Sequence, residues 1–373
     1  MKLVLSVEAL APGLTGIGRY TWELAQGLPG HAGLRDVRFY RAGRWIDDLG
    51  KLVQAPDTCA KPGARSLFKQ PRWAREWGVL RACRGNVFHG PNFFVPACAD
   101  KGVITVHDLS VFKFPETHPA ERVRQFERDF SRSVAQSVHV ITDSQTTRAE
   151  VMAFTGLAAS RVTAVPLGVS AAYAPRLDHE IAARLRTYGL AFRSYALCVS
   201  TLEPRKKIEQ LLDAWVQLPA DLKRVFPLML VGSRGWLSES LQEKIRRGTA
   251  QGWVRYLGYV PECDLPALYA GAAVFIYPST YEGFGLPPIE AMACGVPVVV
   301  SGQSCLPEIT QGAALTAEPD DIADFAAALE ISLTDETWRL HATTAGLAVA
   351  ASYTWQRCVD ETVKVYRRAA CCG

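Results

Sequence analysis

Short aliphatic and β-branched runs alternate with longer amphipathic stretches along the whole chain, an alternation that predicts parallel sheets covered by helices. In the first half, Leu3–Val7, Val37–Tyr40, Val87–His89, Val103–His107, Val138–Thr142 and Val162–Val165 read as strands. Helices are expected at Arg19–Leu28 and Glu121–Ala135, and a third from near Ser144, whose hydroxyl can accept from the orphaned amides of a first turn. The pattern restarts after Pro166-Leu167-Gly168 and a polar, arginine-rich stretch reaching about Arg193. Strands are then expected at Tyr195–Ser200, Leu228–Gly232, Val254–Leu257, Val274–Tyr277 and Val296–Ser301, with helices at Ile208–Trp215, Asp264–Gly271, Pro288–Ala293 and Ile322–Leu329. The fold class that follows is α/β, two Rossmann-like domains in tandem. Ligands of such sheets sit beyond the carboxyl ends of the strands, so the site is expected in a cleft between the halves.

Composition supports a folded, two-domain chain: 373 residues, 49% hydrophobic, 21% charged and 10% aromatic. No uninterrupted apolar run reaches the ~18 residues of a membrane span. The opening MKLVLSVEALAPG is broken early by Glu8 and Pro12 and reads as a first strand, not a signal peptide, so a cytoplasmic location is expected. Ten cysteines without a CxxC pair or zinc-type spacing suit buried free thiols. The net charge of +4 is unevenly spread: residues 1–180 hold 23 lysines and arginines against 17 acids, the rest 18 against 20. Part of that excess lies in Arg65–Arg84, where Phe68, Trp73 and Trp77 are interleaved with Arg65, Lys69, Arg72, Arg75 and Arg81. Cations meet lipid phosphates and indoles settle among headgroups, so peripheral contact with an anionic membrane is one expectation, a solvated helix with buried indoles the other. No groove-reading motif points to nucleic acid.

Three segments could carry chemistry. Gly13 to Gly18 follows the first strand as GxxGxG, not the GxGxxG of a dinucleotide site, and offers exposed amides at a helix start. Leu202-Glu203-Pro204-Arg205-Lys206-Lys207 sets three cations at a strand end, where they can neutralise a diphosphate. From Ser279 to Pro297 a glycine-bearing loop leads into a helix with prolines in its first turn, a C′ glycine at Gly295 and a stop at Pro297. Glu282 on that loop and Glu290 about one turn into the helix can accept from hydroxyls, which suits a polyhydroxylated, phosphate-bearing ligand. Asp320 and Asp321 precede a helix and are read as capping residues, and the absence of a DxD sequence agrees with a metal-free site.

Glu282 and Glu290 form a Glu-x7-Glu signature inside EGFGLPPIEAMACGVPVV. With GIGRYTWEL, VHDL, VITDSQTTRAEV, LGV, LEPRKK, LVG, YLGYVPECDLPALYAGA and SYTWQR in order over nearly the whole chain, the sequence resembles the large retaining glycosyltransferase family 4. That resemblance implies the GT-B architecture, two Rossmann-like domains facing across a cleft. It implies an N-terminal acceptor domain over 1–185, completed by a C-terminal helix over 355–373, and a nucleotide-sugar donor domain over 186–354. By the same resemblance His107 faces the donor sugar, Arg205 and Lys206 hold the diphosphate with Glu203 orienting the lysine, and Glu282 binds the sugar's 3-hydroxyl. Gly16 lends its amide to the diphosphate, and the amides of Phe284, Gly285 and Leu286 touch sugar or phosphate. Glu290 takes the ribose hydroxyls, the backbone at Tyr259 and Val260 meets the base, and Glu262 accepts from a guanine edge. Many members carry arginine where this chain has Ser200, which shifts diphosphate neutralisation onto Arg205 and Lys206.

The implied reaction is transfer of a hexosyl group, with retained anomeric configuration and no cofactor or metal, from a nucleoside diphosphate sugar to an acceptor hydroxyl. TLEPRKK and VHDLSVFKFPE are similar to segments of mannosyl- and rhamnosyltransferases that build bacterial surface polysaccharide and O-antigen. GDP-mannose or GDP-rhamnose is therefore the expected donor and a lipid-linked saccharide the acceptor. A UDP- or dTDP-sugar donor is the alternative, as is a sugar-nucleotide epimerase.

Overall fold

The computed structural model describes residues 1–14, 16–54, 72–233, 235 and 239–371. It resolves into two compact units, one of Met1–Lys113, His118–Gly168 and Trp355–Gly373, the other of Phe114–Thr117 and Val169–Thr354.

The first unit holds a seven-stranded sheet: β1 (Lys2–Ser6), β2 (Asp36–Arg41), β3 (Arg44–Ile46), β4 (Val87–Gly90), β5 (Gly102–Val106), β6 (Ser137–Thr142) and β7 (Val162–Ala164). Their spatial order is β3-β2-β1-β4-β5-β6-β7. Every pairing is parallel except the β2–β3 hairpin at the edge, turned through Ala42 and Gly43 with φ of 46° and 87°. β4 and β5 are buried along their whole length, as strands covered on both faces must be. The helix Gly16–Gly27 lays Tyr20, Thr21, Leu24 and Ala25 inward, and the last helix, Trp355–Cys371, buries Cys358, Val359, Val363 and Tyr366 in the same unit.

A buried polar chain fastens that last helix. Tyr366 lies 2.6 Å from His89 Nδ1, His89 Nε2 lies 2.9 Å from Thr105, and Tyr20 lies 2.9 Å from the same threonine oxygen. Burial, helped by nearby His107, pushes His89 down to about 3, so its ring is neutral and the chain carries no charge.

The second unit is a six-stranded, wholly parallel sheet: β8 (Ala196–Val199), β9 (Leu228–Val231), β10 (Val254–Gly258), β11 (Val274–Tyr277), β12 (Val298–Ser301) and β13 (Leu315–Ala317). Their order is β10-β9-β8-β11-β12-β13. Trp215, Leu211, Leu230, Ile276, Phe325 and Leu329 fill the core between sheet and helices. Two α/β units, each on a doubly wound sheet, agree with the expected fold class. In both, the strand order reverses beside the first strand, between β1 and β4 and between β8 and β11. Loops leave the carboxyl ends of those strands in opposite directions, the position at which such sheets take ligands.

The helices Leu286–Ala293 and Ile322–Thr334 begin within two residues of their expected starts. Ser144 does cap the helix Gln145–Thr155, accepting from the Thr147 amide at 3.1 Å, and Asp321 caps Ile322–Thr334 in the same way. Asp320 instead pairs with Lys207. Of the basic aromatic segment Arg65–Arg84, residues 65–71 and the side chains of 72–76 lie outside the described residues; Arg72–Cys83 is helical. Among the described residues, no helix is long and apolar enough to cross a membrane, and no group of three or more histidine, cysteine, aspartate or glutamate side chains is placed to hold a metal ion.

Candidate active site

In the second unit, two loops that leave the reversal point are stitched together. After β8 the chain runs through Thr201-Leu202-Glu203 into the 3-10 turn Pro204–Lys206, and Lys207, at φ 53°, opens the helix Ile208–Gln217. Leu202 is buried and anchors the turn, and Pro204 sets its first dihedral. Thr201 donates to Glu203 Oε1 at 2.9 Å, and Arg205 Nε donates to Glu203 Oε2 at 3.1 Å. The Arg205 carbonyl then accepts from the Thr280 amide at 3.0 Å and its hydroxyl at 3.1 Å, while Arg205 Nη1 donates to the Tyr281 carbonyl at 2.8 Å.

These bonds place two charges of opposite sign side by side. Lys206 Nζ makes an ion pair with Glu282 Oε1 and lies 3.1 Å from the Tyr277 hydroxyl, which in turn lies 2.9 Å from the same carboxylate oxygen. Arg205 Nη1 stands 3.6 Å from Glu282 Oε2. The side chains of Lys206 and Glu282 are only 7% and 12% exposed, so the pair works in a low dielectric where charge interactions are strong. Burial alone would push the Glu282 carboxyl up; Lys206 and Arg205 outweigh it and hold the group down at about 2. Burial pulls Lys206 the other way, below the ordinary ammonium range, with Glu282 restoring part of the loss.

The loop around Glu282 is fixed from behind. Its amide donates to Ser304 Oγ at 3.1 Å, and that hydroxyl donates to the Glu282 carbonyl at 2.7 Å. Cys305 Sγ lies 3.2 Å from the Glu282 carbonyl and 3.1 Å from that of Phe284. Gly285 has φ 96°, a left-handed conformation natural to glycine, and a Cβ there would meet Leu306 at 2.8 Å. It opens the helix Leu286–Ala293, whose first turn holds Pro287 and Pro288 and whose amide end carries partial positive charge. Glu290 lies in the second turn beside Tyr269, whose phenol is pushed well up by burial and then by that carboxylate.

The structure thus joins Glu203, Arg205, Lys206 and Glu282 by direct contacts and sets Phe284, Gly285, Leu286 and Glu290 on the loop and helix that follow. Tyr259, Val260 and Glu262 lie on another loop, after β10, with Tyr259 70% exposed and Val260 buried beside it. Tyr277, Ser304 and Cys305 belong to none of the motifs that the sequence offers as site candidates. Their one sequence signal is a polar atom at the end of a buried run or on the next loop, which any strand could carry.

In the first unit, Gly16 is exposed at the start of its helix, and among the described residues no atom lies within 4 Å of a Cβ placed there. His107 follows β5 and is 7% exposed. Its Nδ1 lies 2.7 Å from Asp143 Oδ2 and its Nε2 lies 2.8 Å from the Pro91 carbonyl. The Pro91 carbonyl can only accept, so Nε2 carries a proton; Asp143, whose carboxyl burial pushes up, shares the second proton with Nδ1, and with that carboxylate ionised the ring is an imidazolium. Burial opposes that charge, yet Asp143 and Pro91 raise the histidine above its ordinary range. Both N–H groups being committed, donation to a sugar hydroxyl requires His107 to exchange one of these partners. Asp108 accepts from the Ser110 amide at 2.7 Å and so caps the short helix Ser110–Lys113. Nearby a cavity of about 720 Å³ opens beyond β1 and β4, lined among others by Glu8, Asn92, Phe94, Glu121, Arg122 and Gln125.

Residues 193–347 match the family model described as group 1 glycosyl transferases. The O-antigen chain mannosyltransferase B of Escherichia coli is 39% identical over 379 residues, an alignment covering 98% of this chain and 100% of that one. The serotype-specific mannosyltransferase WbdA of the same species is 29% identical over 75% of this chain and 35% of its own length. Among solved structures, HepE of Anabaena in complex with UDP and glucose superposes with a TM-score of 0.71 at 18% identity, covering 99% of this chain and 100% of that one. WaaG, a glycosyltransferase involved in lipopolysaccharide biosynthesis, gives 0.70 at 15% identity over 98% and 99% of the two chains. At these identities the structural likeness speaks for the fold.

Proposed function

The chain belongs to the group 1 glycosyl transferases, and from that premise we propose that it moves a mannosyl group from GDP-mannose to a hydroxyl of a lipid-linked saccharide during O-antigen assembly. The observation that carries this reading is the buried Arg205–Lys206–Glu282 constellation at the reversal point of the second sheet. Departure of the nucleoside diphosphate is the difficult step, because negative charge gathers on it while the sugar turns oxocarbenium-like. Arg205, the amide end of Leu286–Ala293 and Lys206, once it turns from Glu282 toward the diphosphate, supply positive potential to that leaving group. Glu282 accepts from the sugar 3-hydroxyl and Glu290 from the ribose hydroxyls, while the Glu203 carboxylate, expected to orient the lysine, pairs with Arg205 and orients that cation instead. Tyr259, Val260 and Glu262 meet the base.

Transfer proceeds with retained configuration and without a metal, the leaving phosphate taking the acceptor's proton, so no enzymic nucleophile is required. The relatives' names favour mannose over rhamnose, and the family premise favours transfer over epimerisation. The domain over 1–185 with 355–373 takes the acceptor, for which the cavity beside Asn92 and Gln125 offers carbohydrate-binding side chains. That over 186–354 takes the donor. The enzyme works on the cytoplasmic face of the membrane, held there by Arg65–Arg84; Trp77 in that segment is 61% exposed, with the Arg81 guanidinium 5.5 Å over its ring.

A thermal-shift comparison tests the donor, since a ligand bound only by the native state raises its stability. GDP at 100 times its dissociation constant should stabilise by about 2.7 kcal/mol. A UDP response without a GDP response would overturn the base assignment. Release of free mannose from GDP-mannose, rising to transfer when a lipid-linked acceptor is added, is the expected activity; a C2 epimer formed without acceptor would overturn it.

A further inference from the structure

Resting on the reading that Lys206 and Glu282 grip the donor, we propose that Tyr277 is a positioning residue of this site, its hydroxyl bridging ammonium and carboxylate so that the pair can open onto a diphosphate. Tyr277 ends β11 and is 3% exposed. Its ring stacks on Phe275 at 6.2 Å, and Lys206 Nζ stands 5.3 Å from the ring centre. Its oxygen accepts from Lys206 Nζ at 3.1 Å and its proton goes to Glu282 Oε1 at 2.9 Å. Burial first, and then Glu282, pushes this phenol well above its ordinary range, so it stays protonated and able to donate.

A buried ion pair with only its own two members is hard to part, because each charge left behind has lost its compensation. The ammonium has three donors, of which Glu282 and Tyr277 take two, and an incoming phosphate oxygen draws Lys206 Nζ toward itself at the expense of its contact with Glu282. With Tyr277 between them, Glu282 keeps one donor on Oε1 as the ammonium moves, and Arg205 still faces Oε2 at 3.6 Å. Lys206 for its part keeps an oxygen acceptor, which favours the charged ammonium in a buried place. The other groups facing it are Glu203 and Arg205 on its own loop and Cys198 on β8. Tyr277 touches both members of the pair at hydrogen-bond distance, which distinguishes it from a residue that merely fills space.

The test is calorimetric binding of GDP and of UDP to the full chain between pH 6 and 10, for the wild type, Tyr277→Phe and Lys206→Ala. Losing hydrogen bonds to charged groups should weaken binding of the preferred nucleotide by about 10- to 100-fold in Tyr277→Phe. Binding should also fail at a lower alkaline pH, because Lys206 has lost an acceptor that favours its charged form. Lys206→Ala should bind more weakly still and lack this alkaline limb. Wild-type affinity and an unmoved limb in Tyr277→Phe, with Lys206→Ala impaired, would overturn the role of Tyr277 alone. Undiminished binding by Lys206→Ala, or no binding of either nucleotide by the wild type, would overturn the underlying reading. If Tyr277→Phe unfolds, 3-fluorotyrosine at position 277 keeps ring and hydroxyl but is a poorer acceptor. The limb should again move to lower pH, and an unmoved limb would refute the proposal.

Discussion

Removing the carboxylate of Asp143 should destabilise the first unit strongly and abolish one component of its pH dependence. Asp143 and His107 have side-chain exposures of 3% and 8%, and the second carboxylate oxygen of Asp143 is buried with no hydrogen-bond partner among the described residues, so the two charges chiefly compensate each other, with Asp108 as the other charge nearby. Deleting one member of such a pair costs about 3–5 kcal/mol. For a unit of this size each kcal/mol corresponds to about 2–4 °C, so Asp143→Ala should lower the melting temperature of the first unit by about 6–20 °C. The sign of the pH effect follows from the raised His107. Its folded-state value lies above the ordinary 6.5, so its contribution is complete below that pH and is lost as pH rises through the folded value. Asp143→Asn is the informative companion: a neutral ring can still donate from Nε2 to Pro91 and accept from the amide at Nδ1, so the stability loss should be smaller and the slope above pH 6.5 should flatten. Denaturant unfolding at pH 6 and pH 9 measures both, with amide exchange in β4, β5 and β6 reporting the first unit separately. A loss under 1 kcal/mol in Asp143→Ala, or an unchanged slope in Asp143→Asn, would refute the imidazolium.

Gly285→Ala puts a Cβ at φ 96° and 2.8 Å from Leu306, which should cost about 1–2 kcal/mol and weaken nucleotide binding several-fold by tilting the first turn of Leu286–Ala293; denaturant titration and calorimetry read the two effects. Tyr366→Phe keeps the ring but leaves His89 Nδ1 buried without its partner at 2.6 Å; a loss of about 1–3 kcal/mol is expected, with faster amide exchange in the helix Trp355–Cys371.

What the sequence discloses follows from how many residues state the same thing. Val274–Tyr277 is an uninterrupted apolar run between turn signals, and strand and prediction coincide there. β3 escapes because it has three residues and pairs at an edge, through a turn of Ala42 and Gly43 in place of the usual Asn-Gly. The arginine-rich stretch before Arg193 hides the helix Asp178–Thr187, whose inward face is little more than Ile181 and Leu185. Motifs announce Arg205, Lys206 and Glu282, since charge and glycine spacing are local. Tyr277, Ser304 and Cys305 act across loops that only the folded sheet brings together, and a phenol at the end of an apolar strand looks like more core. His107 was legible as a residue but not as a cation, because its state depends on Asp143 and Pro91 at once.

Net charge gives the opposite indication from the site. The excess of lysine and arginine lies in residues 1–180, yet the buried cations at the reversal point belong to the half in which acids outnumber bases. Exposed cations raise the potential of a whole surface, are screened over about 8 Å at physiological salt and commit to no particular ligand. Arg205 and Lys206 are few but desolvated, and each is oriented by an acid, Glu203 or Glu282, before any ligand arrives. The surrounding acids are therefore part of the grip. They keep two cations charged and aimed where water cannot do so, and they return that potential to an incoming phosphate only when Lys206 turns from Glu282 toward it. By this logic, adding surface lysines to the second unit should quicken nucleotide association at low salt and leave the dissociation rate unchanged, whereas Glu203→Gln should speed dissociation; stopped-flow binding separates the two, and a faster dissociation from surface lysines alone would refute the distinction.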